Sequence, residues 1–118
     1  MSNLIGDFQN FVEEHSVEGL DPFFTLGAIT GELGELANVA KKEVWYNRFS
    51  KYKGDVDRET TQGIRKPIRE QKVDEAGDTL FYFLQYLNKE GITAEEVIAY
   101  QIDKINKQSV EYGCTYKK

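Results

Sequence analysis

Apolar residues recur along this chain at steps of three and four, punctuated by glycine and proline, and that period predicts helices rather than strands. The first helix runs from about Leu4 to His15, with Ile5, Phe8, Phe11 and Val12 on one face. Gly19-Leu20 then leads to Asp21-Pro22, an N-cap followed by proline at the first helical position. The second helix carries Phe23, Leu26, Thr30, Leu33, Ala37, Ala40 and Val44 as a continuous stripe toward the core. From Tyr46 to Lys66 the period disappears into a polar stretch containing Gly54 and Gly63, which reads as a long functional loop. Pro67 opens a third helix that runs to about Glu90, with Val73, Gly77, Leu80, Leu84 and Leu87 inward and Gly91 ending it. Thr93-Ala-Glu-Glu96 is a capping box for a fourth helix, which continues to about Tyr112 with Ile98, Ile102 and Ile105 inward. The expected fold is all-α: one domain over residues 1–118, bundle-like, with a long loop between the second and third helices. Four short helices leave apolar surface uncovered, so a homo-oligomer is expected, with Tyr82, Phe83, Tyr86 and Tyr100 available to an interface.

Two acidic motifs interrupt this pattern, Glu32-Leu-Gly-Glu35 and Glu75-Ala-Gly-Asp78. Residues three apart on a helix occupy neighbouring positions of one face, so each motif aims two carboxylates the same way. Glu32 and Glu35 lie at the edge of the apolar stripe. Gly34 and Gly77, each costing about 1 kcal/mol relative to alanine within a helix, suggest that the second and third helices approach closely there. Four carboxylates would then converge. Two like charges about 4 Å apart repel by roughly 4 kcal/mol at an effective dielectric near 20. Such a cluster either binds a hard cation or retains protons at neutral pH, and the cation is the expected answer.

Composition narrows the choice of cation. His15 is the single histidine and Cys114 the single cysteine. A ferritin-like di-iron bundle requires two Glu-x-x-His motifs, and zinc sites draw on Cys or His. Oxygen-only ligation suits Mg²⁺, Mn²⁺ or Ca²⁺. Cys114 reads as a bystander thiol, and a chain with one cysteine and no apolar run of membrane-spanning length is expected in the cytoplasm, away from membranes.

Charge is distributed unevenly about a net of −5. Residues 1–40 carry seven acidic groups and no Lys or Arg, whereas residues 41–72 carry ten of the fifteen basic residues. A basic loop beside acidic motifs suits an anionic ligand held over metal ions. The acidic total argues against nucleic acid as a partner.

Gly31-Glu-Leu-Gly-Glu-Leu-Ala37, followed by Lys41-Lys42, and Asp74-Glu-Ala-Gly-Asp-Thr-Leu-Phe-Tyr82 resemble the MazG-like all-α nucleoside triphosphate pyrophosphatases, a group that includes dimeric dUTPases and dCTP pyrophosphatases. The resemblance covers roughly residues 21–112. It implies a Mg²⁺-dependent hydrolase that cleaves NTPs or dNTPs between the α- and β-phosphates, in nucleotide house-cleaning or pool control, and that works as a homodimer or homotetramer. By the same resemblance, Glu32, Glu35, Glu75 and Asp78 are the metal ligands and catalytic carboxylates, with Glu35 or Glu32 also handling the attacking water.

Lys42, Lys72 and Lys104 are candidate phosphate contacts, and Tyr82 and Trp45 are candidate partners for the nucleotide. Lys53, Arg65 and Lys66 could reach in from the loop. Phe83 stands where phosphoribosyl-ATP pyrophosphatases tend to have histidine, which leads away from that branch. The alternative reading is a non-catalytic helical module that binds a nucleotide or a metal without hydrolysis.

Overall fold

The computed structural model describes residues 3–49, 57–59 and 65–112, and it is built on four helices. These are α1 (Leu4–Glu14), α2 (Pro22–Phe49), α3 (Ile68–Glu90) and α4 (Ala94–Tyr112). An antiparallel pair of three-residue strands, β1 (Asp57–Glu59) and β2 (Arg65–Pro67), precedes α3, with Asp57 opposite Pro67 and Glu59 opposite Arg65. Among the described residues no helix is long and apolar enough to cross a membrane. The chain divides into two compact units, one of residues 19–83 and one of residues 1–18 with 84–118.

In the unit that holds α1 and α4, Val12, Leu84, Leu87 and Ala94 are buried together with two glutamines. Gln9 explains how a polar group is tolerated there. Its Nε2 donates to the Ile92 carbonyl at 2.9 Å, and its Oε1 accepts from the Ala94 N–H at 2.8 Å. One side chain thereby satisfies two backbone groups in the turn between α3 and α4. That turn is closed by Gly91 at φ 68°, with Ile92 N–H donating to the Leu87 carbonyl at 2.9 Å and Gly91 N–H to Asn88 at 3.3 Å. This is the paired bond pattern of a left-handed helix stop, where glycine pays no Cβ penalty. The capping box forms as expected. Thr93 N–H donates to Glu96 Oε1 at 2.8 Å, and Glu96 N–H to Thr93 Oγ1 at 3.2 Å.

In the unit of residues 19–83, Asp21 accepts from the Phe23 N–H at 2.7 Å, and Pro22 occupies the first helical position. The apolar period fades at Trp45, yet α2 continues to Phe49. No glycine or proline interrupts Tyr46–Phe49, and an established helix gains one hydrogen bond for each residue added. The strand pair corrects the expectation of an aperiodic loop. A short ribbon is held by backbone pairing, and its residues, Asp57-Arg-Glu59 and Arg65-Lys-Pro67, carry no apolar alternation that would reveal it. Pro67 closes β2, and α3 begins one residue later.

The inward face of α2 differs from the expected stripe. Phe23 is 82% exposed, Leu33 54% and Val44 58%. Thr25 and Val39 are buried instead, with Ile29, Glu32, Leu36 and Glu43 half-buried between and beyond them. The series 25, 29, 32, 36, 39, 43 also steps by four and three, and a helical period alone does not choose which series meets the neighbouring helix. On α3, Val73 and Leu80 are exposed while Ile68 and Gln71 are buried and Lys72, Glu75, Asp78 and Tyr82 are half-buried. On α4, Ile98 and Ile102 are exposed, and Ile105 is half-buried.

Candidate metal centre

Both inward faces therefore carry acid. Glu32 lies within the covered series of α2 rather than at its margin, and Glu75 and Asp78 lie on the corresponding face of α3. Carboxylate oxygens of Glu32, Glu35 and Glu75 come within 4.8 Å of one another. Glu32 and Glu75 are half-buried and Glu35 is exposed. The cluster thus has a covered side and an open side.

The helices do not need close backbone contact to assemble it. A Cβ built on Gly34 or on Gly77 meets nothing within 4 Å, which corrects the expectation that these glycines permit a tight crossing. Glutamate side chains are long enough to bridge the wider gap.

The electrostatics show what gathering these groups costs. Burial, more than any other cause, pushes the Glu75 carboxyl up to about 7, and the neighbouring Glu35 carboxyl adds to it, followed by the charges of Asp78 and Glu32. Glu32 is raised by burial and then by the charges of Glu35 and Asp78. Asp78 is raised by burial and then by Asp74 and Glu35. The Oε2 atoms of Glu32 and Glu75 are both shut off from solvent without a hydrogen-bond partner. A buried carboxylate oxygen with no donor is unfavourable, and it signals a missing proton or cation.

A hard divalent cation fits this donor set. All three carboxylates are oxygen donors, with no histidine or cysteine among them. Oxygens around one octahedral Mg²⁺ stand at most about 4.2 Å apart. The three oxygens, within 4.8 Å of one another, would have to close further to share such an ion, since adjacent ligands of Mg²⁺ stand about 3 Å apart.

Beside the cluster is an open concavity of about 370 Å³ lined by Glu32, Asp78, Phe81 and Tyr82. The Phe81 and Tyr82 rings meet edge to face with centroids 5.6 Å apart. Tyr82 thus lies beside the acidic cluster, in the wall of the concavity with Glu32 and Asp78. Phe81 was missed, although it directly precedes Tyr82 in the acidic stretch.

The candidate cations are scattered. Lys72 Nζ donates to both oxygens of Glu43, at 2.9 and 3.1 Å. Lys66 approaches Asp74 at 3.8 Å. Lys42 is half-buried on α2, and Trp45, near the end of that helix, is 59% exposed. Lys104 is exposed on α4, in the unit of residues 1–18 with 84–118. Lys53 and Cys114 lie outside the described residues, as does the Arg65 side chain. Glu43 was not foreseen, and its signal is positional: eleven residues after Glu32 is about three helical turns, so it shares that residue's face. Comparison with known proteins returns no matching family model, curated protein or solved structure.

Proposed function

We propose that the chain is a Mg²⁺-dependent nucleoside triphosphate pyrophosphohydrolase of the MazG-like kind, acting on NTPs or dNTPs as a homo-oligomer. The observation that carries this reading is the pair of buried, unpartnered oxygens of Glu32 and Glu75, in a three-carboxylate cluster beside an aromatic concavity. A bound divalent cation neutralises phosphate oxygens and lowers the pKa of coordinated water.

The protein's own groups divide the remaining work. Glu32, Glu35 and Glu75 would hold the cation from two helices, with Asp78 beside them in the wall of the concavity. Glu35, the exposed member, would also orient a solvent-derived water and accept its proton. That water attacks the α-phosphorus, the bond from the α-phosphorus to the bridging oxygen breaks, and nucleoside monophosphate and pyrophosphate leave. Tyr82 and Phe81 offer ring faces to the base or sugar. Lys42, seven residues beyond Glu35 on α2, is a candidate contact for the phosphates.

The test is ³¹P NMR of the protein with Mg²⁺ and a panel of NTPs and dNTPs. The expected products are monophosphate and pyrophosphate, with no turnover in EDTA. Orthophosphate as the first product, or full activity in EDTA, refutes the reading. Asp78→Asn should lower kcat at least 100-fold while leaving far-UV circular dichroism unchanged, the scale expected when a group stabilising transition-state charge is lost. Intact nucleotide that nevertheless raises the melting temperature would move the protein to the binding-module class.

A further inference from the structure

Lys72 is the cation closest in sequence to the second acidic motif, one helical turn before Glu75. Its ammonium group is already engaged, held by both oxygens of Glu43 at 2.9 and 3.1 Å. The pair joins α3 to α2 within the unit that contains the carboxylate cluster. Glu32 and Glu35 meet Glu75, whereas Glu43, farther along α2, meets a residue farther back along α3. The two helices thus run antiparallel, and the ion pair sits on the same seam, about one turn from Glu75 along α3 and about two turns from Glu35 along α2. Lys72 and Glu43 are each about one-third exposed, so the pair contributes little to global stability. What it can set is local geometry. The clustered carboxylates repel one another across α2 and α3, and an opposite-charge link on that seam opposes the separation.

Resting on the metal-centre reading above, we infer that Lys72 and Glu43 are a positioning pair that holds α2 and α3 at the spacing needed for Glu32, Glu35 and Glu75 to share one divalent cation. Lys72 acts on the centre through Glu43 rather than by touching phosphate. The two roles make opposite forecasts for the metal alone. Removing a free lysine from beside an acidic cluster tightens cation binding, because a nearby positive charge is lost. Removing a positioning lysine weakens it, and removing Glu43 weakens it equally.

The experiment is a Mn²⁺ titration of the full chain, followed by the electron paramagnetic resonance signal of free Mn²⁺. It compares wild type with Lys72→Met, Glu43→Gln, the double neutral variant, and the charge swap Glu43→Lys/Lys72→Glu. Loss of an outer support of a metal site typically costs 10- to 100-fold in affinity. Each single variant should therefore weaken Mn²⁺ binding by about tenfold or more. The double neutral variant should be no worse than either, and the swap should restore affinity to within about threefold of wild type, because it rebuilds the link. Tighter binding by Lys72→Met, or unchanged binding by Glu43→Gln, overturns the inference while wild-type binding keeps the metal centre. A wild type that takes up no Mn²⁺ overturns both. Should the single variants lose their helical circular dichroism, the swap decides: folded with wild-type affinity it supports the pair, and folded with affinity still tenfold low it refutes it.

Discussion

Glu75 is the residue where the cost of the cluster is greatest, and it makes pH a direct probe. In the unfolded chain its carboxyl titrates near 4.5, and in the folded protein it is held up to about 7. Between these values the folded state binds the extra proton, so stability falls as pH rises through that window. Glu32 and Asp78, also raised, act in the same direction. In EDTA the melting temperature should therefore drop between about pH 5 and pH 7.5. Mg²⁺ or Mn²⁺ should reverse the drop at the upper end, where the cation replaces the proton. Glu75→Gln should flatten the slope. A metal-free melting temperature that rises over this range would contradict the electrostatic account of the cluster. At this scale the sequence is informative about chemistry, since an oxygen-only donor set follows from a chain with a single histidine and a single cysteine. It does not reveal that Lys72 is held by Glu43, because that contact spans twenty-nine residues and two helices.

Helix ends prove more legible than helix faces. Asp21-Pro22, Gly91 and the Thr93–Glu96 box act through bonds that span only a few residues, so their local sequence suffices to place them. Gly34 and Gly77 invite the wrong inference, since each looks like an accommodation to a neighbouring helix and each instead faces open space. Alanine at either position is therefore expected to stabilise the isolated chain. It restores helix propensity and restricts the unfolded state, together worth about 0.5–1 kcal/mol. Thermal or urea denaturation of Gly34→Ala and Gly77→Ala reads this directly. A loss of 1 kcal/mol or more at either site would place a second chain against that glycine in the working assembly.

On the scale of the whole molecule, the most consequential feature is the apolar surface left uncovered on α2 and α3. Phe23, Leu33 and Val44 fall on one stripe of α2, and Val73 and Phe83 are exposed on α3. A run of large exposed side chains on one helix face is uncommon for a lone chain and marks an interaction surface. We expect the partner to be a second copy. Light scattering coupled to size-exclusion chromatography should give a mass of at least two chains, and Leu33→Glu should shift it toward one. A monomeric mass for wild type would leave the stripe without this explanation. The stripe also accounts for how the inward face of α2 was misread. A surface covered between chains carries the same hydropathy signal as one covered within a chain.

The sequence by itself determines the helical class, most of the helix boundaries and the identity of the four acidic candidates. These depend on residue type and on interactions within a turn or two. Only the tertiary structure decides which of the two stripes on α2 turns inward. It also decides that the acids of Glu32 and Glu75 travel with that stripe, and that Lys72 engages Glu43. The reason is physical: a 3.6-residue period describes one helix on its own, whereas burial depends on which other helix it meets. A carboxyl that reads as lying at the edge of the stripe in one pairing becomes a desolvated, unpartnered oxygen in the other. That change of surroundings is what turns two ordinary Glu-x-x-acid pairs into a candidate metal centre.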